Sequence, residues 1–148
     1  MNAEELFERW SEVRAGLIAG LDQLSDAQLA YTPRQGLWSL REIVVHIAGT
    51  EDGWLRYYTA NRRPENPPRA IDYPTVESLK SLLAKVHTRT QVQFAQNPDS
   101  FMEQMCQLPW GEQVTMSWAV WHVLEHEIHH RGEIFLMLGL MGMEAPDV

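Results

Sequence analysis

Trp121-His122-Val123-Leu124-Glu125-His126-Glu127-Ile128-His129-His130-Arg131-Gly132 places four of the chain's six histidines within twelve residues. On a helix, residues four apart lie one turn above each other on the same face. His122, His126 and His130 therefore form a slowly drifting stripe, with His129 standing to one side. An i, i+4 histidine pair aims two imidazoles at one point, the usual way a helix offers two ligands to a divalent metal. Such a site needs at least one more ligand, so the fold must bring a second element against this helix.

The same stretch contains a literal HExxH, His126-Glu127-Ile128-His129-His130. In zinc proteases that motif supplies two ligands and a general-base Glu. The extended form has Gly where this chain has Glu133, and little chain follows Met143 to carry a third ligand. Both observations speak against a zinc protease.

The 148 residues fit one domain, 1–148, with 45% hydrophobic and 22% charged residues, an ordinary soluble composition. The formal net charge is −8. A duplex-binding protein neutralises phosphates with clustered Lys and Arg. Here the only such cluster is Arg62-Arg63 with Arg69 nearby, which argues against nucleic acid as a direct partner. The single cysteine, Cys106, has no intrachain disulfide partner and reads as a buried small apolar side chain rather than a nucleophile. Met1-Asn2-Ala3-Glu4-Glu5 is acidic and leads into an amphipathic pattern, unlike a secretory signal. The longest strongly apolar run, Ile134 to Met143, is too short to span a bilayer. The expected address is the reducing cytoplasm, with no membrane partner.

Four helices follow from the spacing of apolar residues. The first covers 3–22, with Asn2 as N-cap and Glu5 as its reciprocal carboxylate. Leu6, Trp10, Val13, Leu17, Leu21 and Leu24 recur along it, and Gly16 and Gly20 either weaken it or admit a close neighbour. Ser25-Asp26-Ala27-Gln28 caps a short turn before Pro33 and Gly36 break the pattern. Ser39, with Glu42 as its capping-box partner, starts a second helix that runs to about 62. Pro64, Pro67 and Pro68 end it. A long connection leads to Thr75, the cap of a third helix over 76–96, which Asn97-Pro98-Asp99 stops. Its His87 lies among Lys85, Thr88 and Arg89 and reads as a solvated surface group. Between 101 and 114, Pro109-Trp110-Gly111 marks the turn of a small hairpin. Thr115 caps the fourth helix, 116–140, which Gly139 and Gly142 unwind. The fold class is all-α, a four-helix bundle whose long loops permit crossovers and parallel neighbours.

His46 is the remaining ligand candidate, because it sits among the apolar positions of the second helix. A buried unpaired imidazole is costly. Two accounts remove that cost: a hydrogen bond inside the core, or a place opposite His126 and His130 in a three-histidine metal site.

The context Trp38-Ser39-Leu40-Arg41-Glu42-Ile43-Val44-Val45-His46-Ile47-Ala48-Gly49, with His126-xxx-His130-Arg131-Gly132-Glu133 on the last helix and Tyr31-Thr32-Pro33 upstream, resembles the DinB/YfiT-like proteins over essentially the whole chain. The resemblance implies a four-helix bundle with long crossover connections in an up-down-down-up order. It implies a divalent metal, zinc or nickel, on His46, His126 and His130. His122 and His129 match no ligand position and are expected behind the ligands or at the surface. Some relatives are thiol transferases using bacillithiol, mycothiol or glutathione, or thiol-dependent isomerases, and many others have no established reaction. A metal-dependent S-transfer with a low-molecular-weight thiol is therefore the expected activity. A metal-dependent hydrolase and a non-catalytic stress-response protein with a structural metal are the alternatives. A small-molecule substrate is the expected partner, and a homodimer is compatible with the resemblance.

Three neutral imidazoles leave zinc an open position at which a thiol or water loses its proton. Candidate proton acceptors are Glu127, the HExxH carboxylate, and Glu42. Glu127 lies next to His126 in sequence, a spacing that can turn it away from the metal. Glu42 and Glu133 share faces with His46 and His130 and are placed to orient their rings. Trp118 and Trp121 read as core aromatics, or else as walls of an apolar pocket beside the histidine stripe.

Overall fold

In the computed structural model, which describes residues 3–95 and 98–148, the first helix α1 (Ala3–Leu21) buries Leu6, Trp10, Val13, Leu17 and Leu21. Its expected cap Asn2 lies outside the described residues. The glycine question is settled in favour of close approach. A Cβ on Gly20 would stand 3.0 Å from Phe135 Cε1, and one on Gly16 would stand 3.1 Å from Arg131 Nη1. Ser25 and Gln28 form a reciprocal capping box over one 3₁₀ turn, Asp26–Ala30.

Helix α2 (Leu40–Asp52) starts where the second capping box places it. The Ser39 hydroxyl accepts from the Glu42 N–H, and the Glu42 carboxylate accepts from the Ser39 N–H at 2.7 Å. The rod does not stay α-helical to position 62. It widens to a π-helical turn at Gly53–Tyr57, tightens to 3₁₀ at Tyr58–Ala60, and ends where Asn61 adopts φ 55°. Helix α3 (Val76–Ala95) is capped by Thr75, whose Oγ1 accepts from the Ser78 N–H at 3.0 Å. The expected stop at Asn97 lies outside the described residues. A short helix α4 (Pro98–Met102) leads to the hairpin.

Strands β1 (Met105–Gln107) and β2 (Gln113–Thr115) pair antiparallel, Cys106 opposite Val114, around a turn in which Gly111 has φ 94°. Cys106 is buried, and burial pushes its thiol pKa up, which fits an inert packing role. Helix α5 (Met116–Leu140) is capped by Thr115. It closes on a Schellman motif: Met143 N–H bonds the Leu138 carbonyl, Gly142 N–H bonds that of Gly139, and Gly142 takes φ 79°.

Two hydrophobic clusters establish the direction of each helix. One joins Leu17 and Leu21 from the end of α1, Leu40 and Ile43 from the start of α2, Leu79 from the start of α3, and Ile134 and Leu138 from the end of α5. The other joins Leu6 and Trp10, Leu55, Phe94 and Val120, the opposite ends of those rods. Helices α1 and α5 therefore run one way and α2 and α3 the other, which is an up-down-down-up bundle. The most extensive packing of α2 is against α3 and α5, and α1 lies against α5 and α3. No described helix is long and apolar enough to cross a membrane.

Candidate metal centre

Antiparallel packing of α2 on α5 sets His46 against the i, i+4 pair of α5. His126 Nε2 lies 2.8 Å from His46 Nε2 and 3.1 Å from His130 Nε2, with Thr50 Oγ1 at 3.4 Å. His46 and His126 are partly buried and His130 is buried. Glu133, one turn beyond, bonds His130 Nδ1 at 2.7 Å. An ionised Glu133 accepts there, so His130 carries its proton on Nδ1 and offers a bare lone pair on Nε2.

This donor set fits a divalent ion. Three ring nitrogens meet around one point, and a single N–H on His126 cannot serve both neighbours well. Around a tetrahedral ion with bonds of about 2.0 Å, ligand nitrogens stand roughly 3.3 Å apart. The His126–His46 and His126–His130 separations, 2.8 and 3.1 Å, need open by only a few tenths of an ångström. Burial, then the charges of His130 and His46, push the His126 pKa down to about 3. Burial, followed by the charge of His130, also lowers that of His46. Both stay neutral near pH 7, the form a metal requires.

His46 and His126 of the trio line a cleft of about 760 Å³. Its walls are Trp38, Trp54 and Tyr58, with Pro64, Pro67 and Pro68 from the connection after α2. That connection presses against the helix beside His46: a Cβ on Gly49 would meet Pro68 Cγ at 3.3 Å. Trp38 lies over the His46 ring with centroids 4.7 Å apart. His122 lines the cleft one turn before His126. It is stacked on Trp118 at 5.0 Å and met edge-on by Trp54 at 4.7 Å.

Several expectations need correction. Trp118 and Trp121 are neither core residues nor lining of the cleft. They are 44% and 49% exposed, and the aromatic walls come instead from Trp38 and Trp54. Glu42 reaches the cleft, but its Oε2 is occupied by the Ser39 N–H and hydroxyl and does not orient His46. His129 needs no correction: it lies at the surface, one of its two expected placements, 3.2 Å from Glu133.

Glu127 is turned away from the histidines and buried, 1% exposed. Arg14 Nε and Nη2 donate to its two oxygens at 2.6 and 2.7 Å, and Trp10 Nε1 donates at 2.7 Å. Arg14 also reaches Glu51 at 2.8 Å and the Leu83 carbonyl at 3.1 Å. The HExxH carboxylate thus belongs to a core ion network and not to the metal centre. His87 is part of the same network rather than a surface group. It is 8% exposed, with Nδ1 3.0 Å from Glu51 Oε1, because α3 turns that position onto α2. Burial works against the carboxylate charge of Glu51, but His87 and Arg14 hold its pKa below the ordinary value. Burial also opposes the charge on Arg14, and the two glutamates raise its pKa above the ordinary value nonetheless.

Sequence reasoning missed Arg14 and Glu51. Their signal was present: Trp10, Arg14, Leu17 and Leu21 share one helical face, as do Val44, Ala48, Glu51 and Leu55.

The DinB family model matches residues 1–148. YizA of Bacillus subtilis (strain 168) is 24% identical over 132 residues, 88% of this chain and 82% of its own. A DinB-like protein from Bacillus cereus ATCC 10987 superposes with a TM-score of 0.78 at 18% identity, covering 99% of this chain and 97% of that one. YfiT from Bacillus subtilis, described as a probable metal-dependent hydrolase with an unusual four-helix bundle topology, gives 0.64 at 22% identity over 97% of this chain and 91% of its own.

Proposed function

The chain belongs to the DinB family, and from that premise we propose that it is a divalent-metal-dependent enzyme of small-molecule chemistry, transferring a low-molecular-weight thiol to an electrophile. One observation carries the reading: three Nε2 atoms converge at the edge of a cleft of about 760 Å³, large enough for a small substrate. A divalent cation held by His46, His126 and His130 would supply Lewis acidity, lowering the pKa of a thiol placed beside it. Zinc or nickel suits an imidazole set.

The residues of the cleft do the rest. Trp38 and Trp54 shield the reacting atoms from bulk water. His122, clamped between the Trp54 and Trp118 indoles, is placed to take the thiol proton. The sulfur then forms a bond to the electrophilic carbon, and the leaving group departs with its electron pair.

Hydrolysis is the second reading, favoured by the likeness to YfiT. A water nucleophile normally relies on a carboxylate base, and Glu127 is already held by Arg14 and Trp10. The commitment of that carboxylate ranks S-transfer first. A purely structural ion fits less well, since such sites are closed by four protein ligands. Among the described residues three donors meet at this point, beside an open cleft.

The test uses cobalt-loaded protein. Adding 2-mercaptoethanol should produce a thiol-dependent charge-transfer band, and conjugation to an activated aryl chloride should vanish in His126→Ala. A spectrum unmoved by thiol, with ester hydrolysis that depends on His126, would replace S-transfer by hydrolysis. If neither activity depended on His126, catalysis would be abandoned.

A further inference from the structure

We infer that the cleft takes a small ligand bearing a carboxylate, gripped by the guanidinium of Arg63. The inference rests on the reading of this cleft as the substrate site and adds the chemical class of what enters it. Its starting point is the chain's only basic cluster, which the metal centre leaves unexplained.

The arginines of that cluster, and Arg56 before it, differ in what they hold. Arg69 makes two hydrogen bonds to Asp72, both 3.1 Å. Arg56 lies 3.8 Å from Asp52. Arg62 donates to the Arg56 carbonyl at 3.4 Å and lies over the Tyr57 ring. Arg63 has no carboxylate partner among the described residues. Its guanidinium rests over the face of Trp110, 5.9 Å from the centroid, and it is the arginine that lines the cleft.

Stacking on an indole fixes a guanidinium without using its N–H donors. Arg63 is therefore held in place with its fork free. A chain of net charge −8 repels anions at long range, and Arg63, solvent-exposed on the wall of this cleft, supplies positive charge there. The one carboxylate lining the cleft, Glu42, is tied to Ser39. A planar fork matches a carboxylate, whereas a phosphate dianion calls for a second cation, and among the described lining residues Arg63 is joined by no other Arg or Lys. The ligand would lie between the histidines and Arg63, its body against Trp54 and Tyr58.

Phenylacetate and phenylacetamide share shape and differ in charge, and neither carries a thiol. Their binding to the full-length, zinc-loaded protein can be followed by NMR titration. Phenylacetate should bind about five- to tenfold more tightly, a charge-assisted contact discounted for exposure. In Arg63→Gln, with its fold checked by circular dichroism, the two should bind alike. Equal affinities in the unaltered protein, no binding of either, or a preference that survives Arg63→Gln (a carboxylate held elsewhere, the metal included) would each overturn the inference. Since no thiol takes part, failure of S-transfer and failure of this inference are read separately.

Discussion

Replacing Arg14 by Met removes the cation that touches both Glu51 and Glu127. Met keeps the aliphatic part of the side chain but lacks the guanidinium, so four hydrogen bonds disappear: two to Glu127, one to Glu51 and one to the Leu83 carbonyl. Two buried carboxylates, 0% and 1% exposed, lose their shared counter-charge. Breaking a buried ion pair from one side costs about 3–5 kcal/mol, mostly as the penalty of the charge left behind. For a domain near this size each kcal/mol lowers the melting temperature by roughly 2–4 °C, so a fall of about 6–20 °C is expected. The loss should also depend on pH. Glu51 has its folded pKa lowered, so its contribution is present above the ordinary carboxylate value and is lost as pH falls through the lowered one. In Arg14→Met, Glu51 loses the guanidinium that lowers its pKa and protonates more readily, which relieves the variant in acid. Urea unfolding at pH 7 and pH 4.5 should therefore show the gap between the two proteins narrowing on acidification. A loss under about 1 kcal/mol, or a gap indifferent to pH, would refute the network as a determinant of stability.

Glu133→Gln weakens the acceptor that fixes the His130 tautomer, and zinc affinity by competition with a chromophoric chelator should fall about 10- to 100-fold; an unchanged affinity would show that the contact does not orient the ligand. Metal uptake at pH 6, followed by calorimetry in buffers of different ionisation enthalpy, should release fewer than about two protons per ion. Three histidines of ordinary pKa would release about 2.3, but His126 at about 3 has none to give and His46 less than its share. A release above two protons would contradict those shifts.

The sequence by itself determined the elements and one half of the site. Ser39 with Glu42, Thr75 and Thr115 are local devices that satisfy backbone donors within three residues, so the helix starts they mark do not wait for tertiary contacts. The pairing of His126 with His130 is likewise fixed by the pitch of one helix. The π-helical turn after α2 was not legible, because no local residue pattern demands it and packing chooses the wider ladder. Glu127 shows where local reasoning stops: HExxH places a carboxylate one residue from a ligand but does not say which side of α5 is the core. Only Trp10 and Arg14, more than a hundred positions away in the chain, turn it inward. His87 was misplaced for the same reason, since Lys85 and Arg89 beside it suggest solvent while α3 packs that position on Glu51. The cleft belongs wholly to the tertiary structure. It is a space between α2, α5 and a proline-rich connection, and a volume enclosed by distant segments has no signature in any one of them.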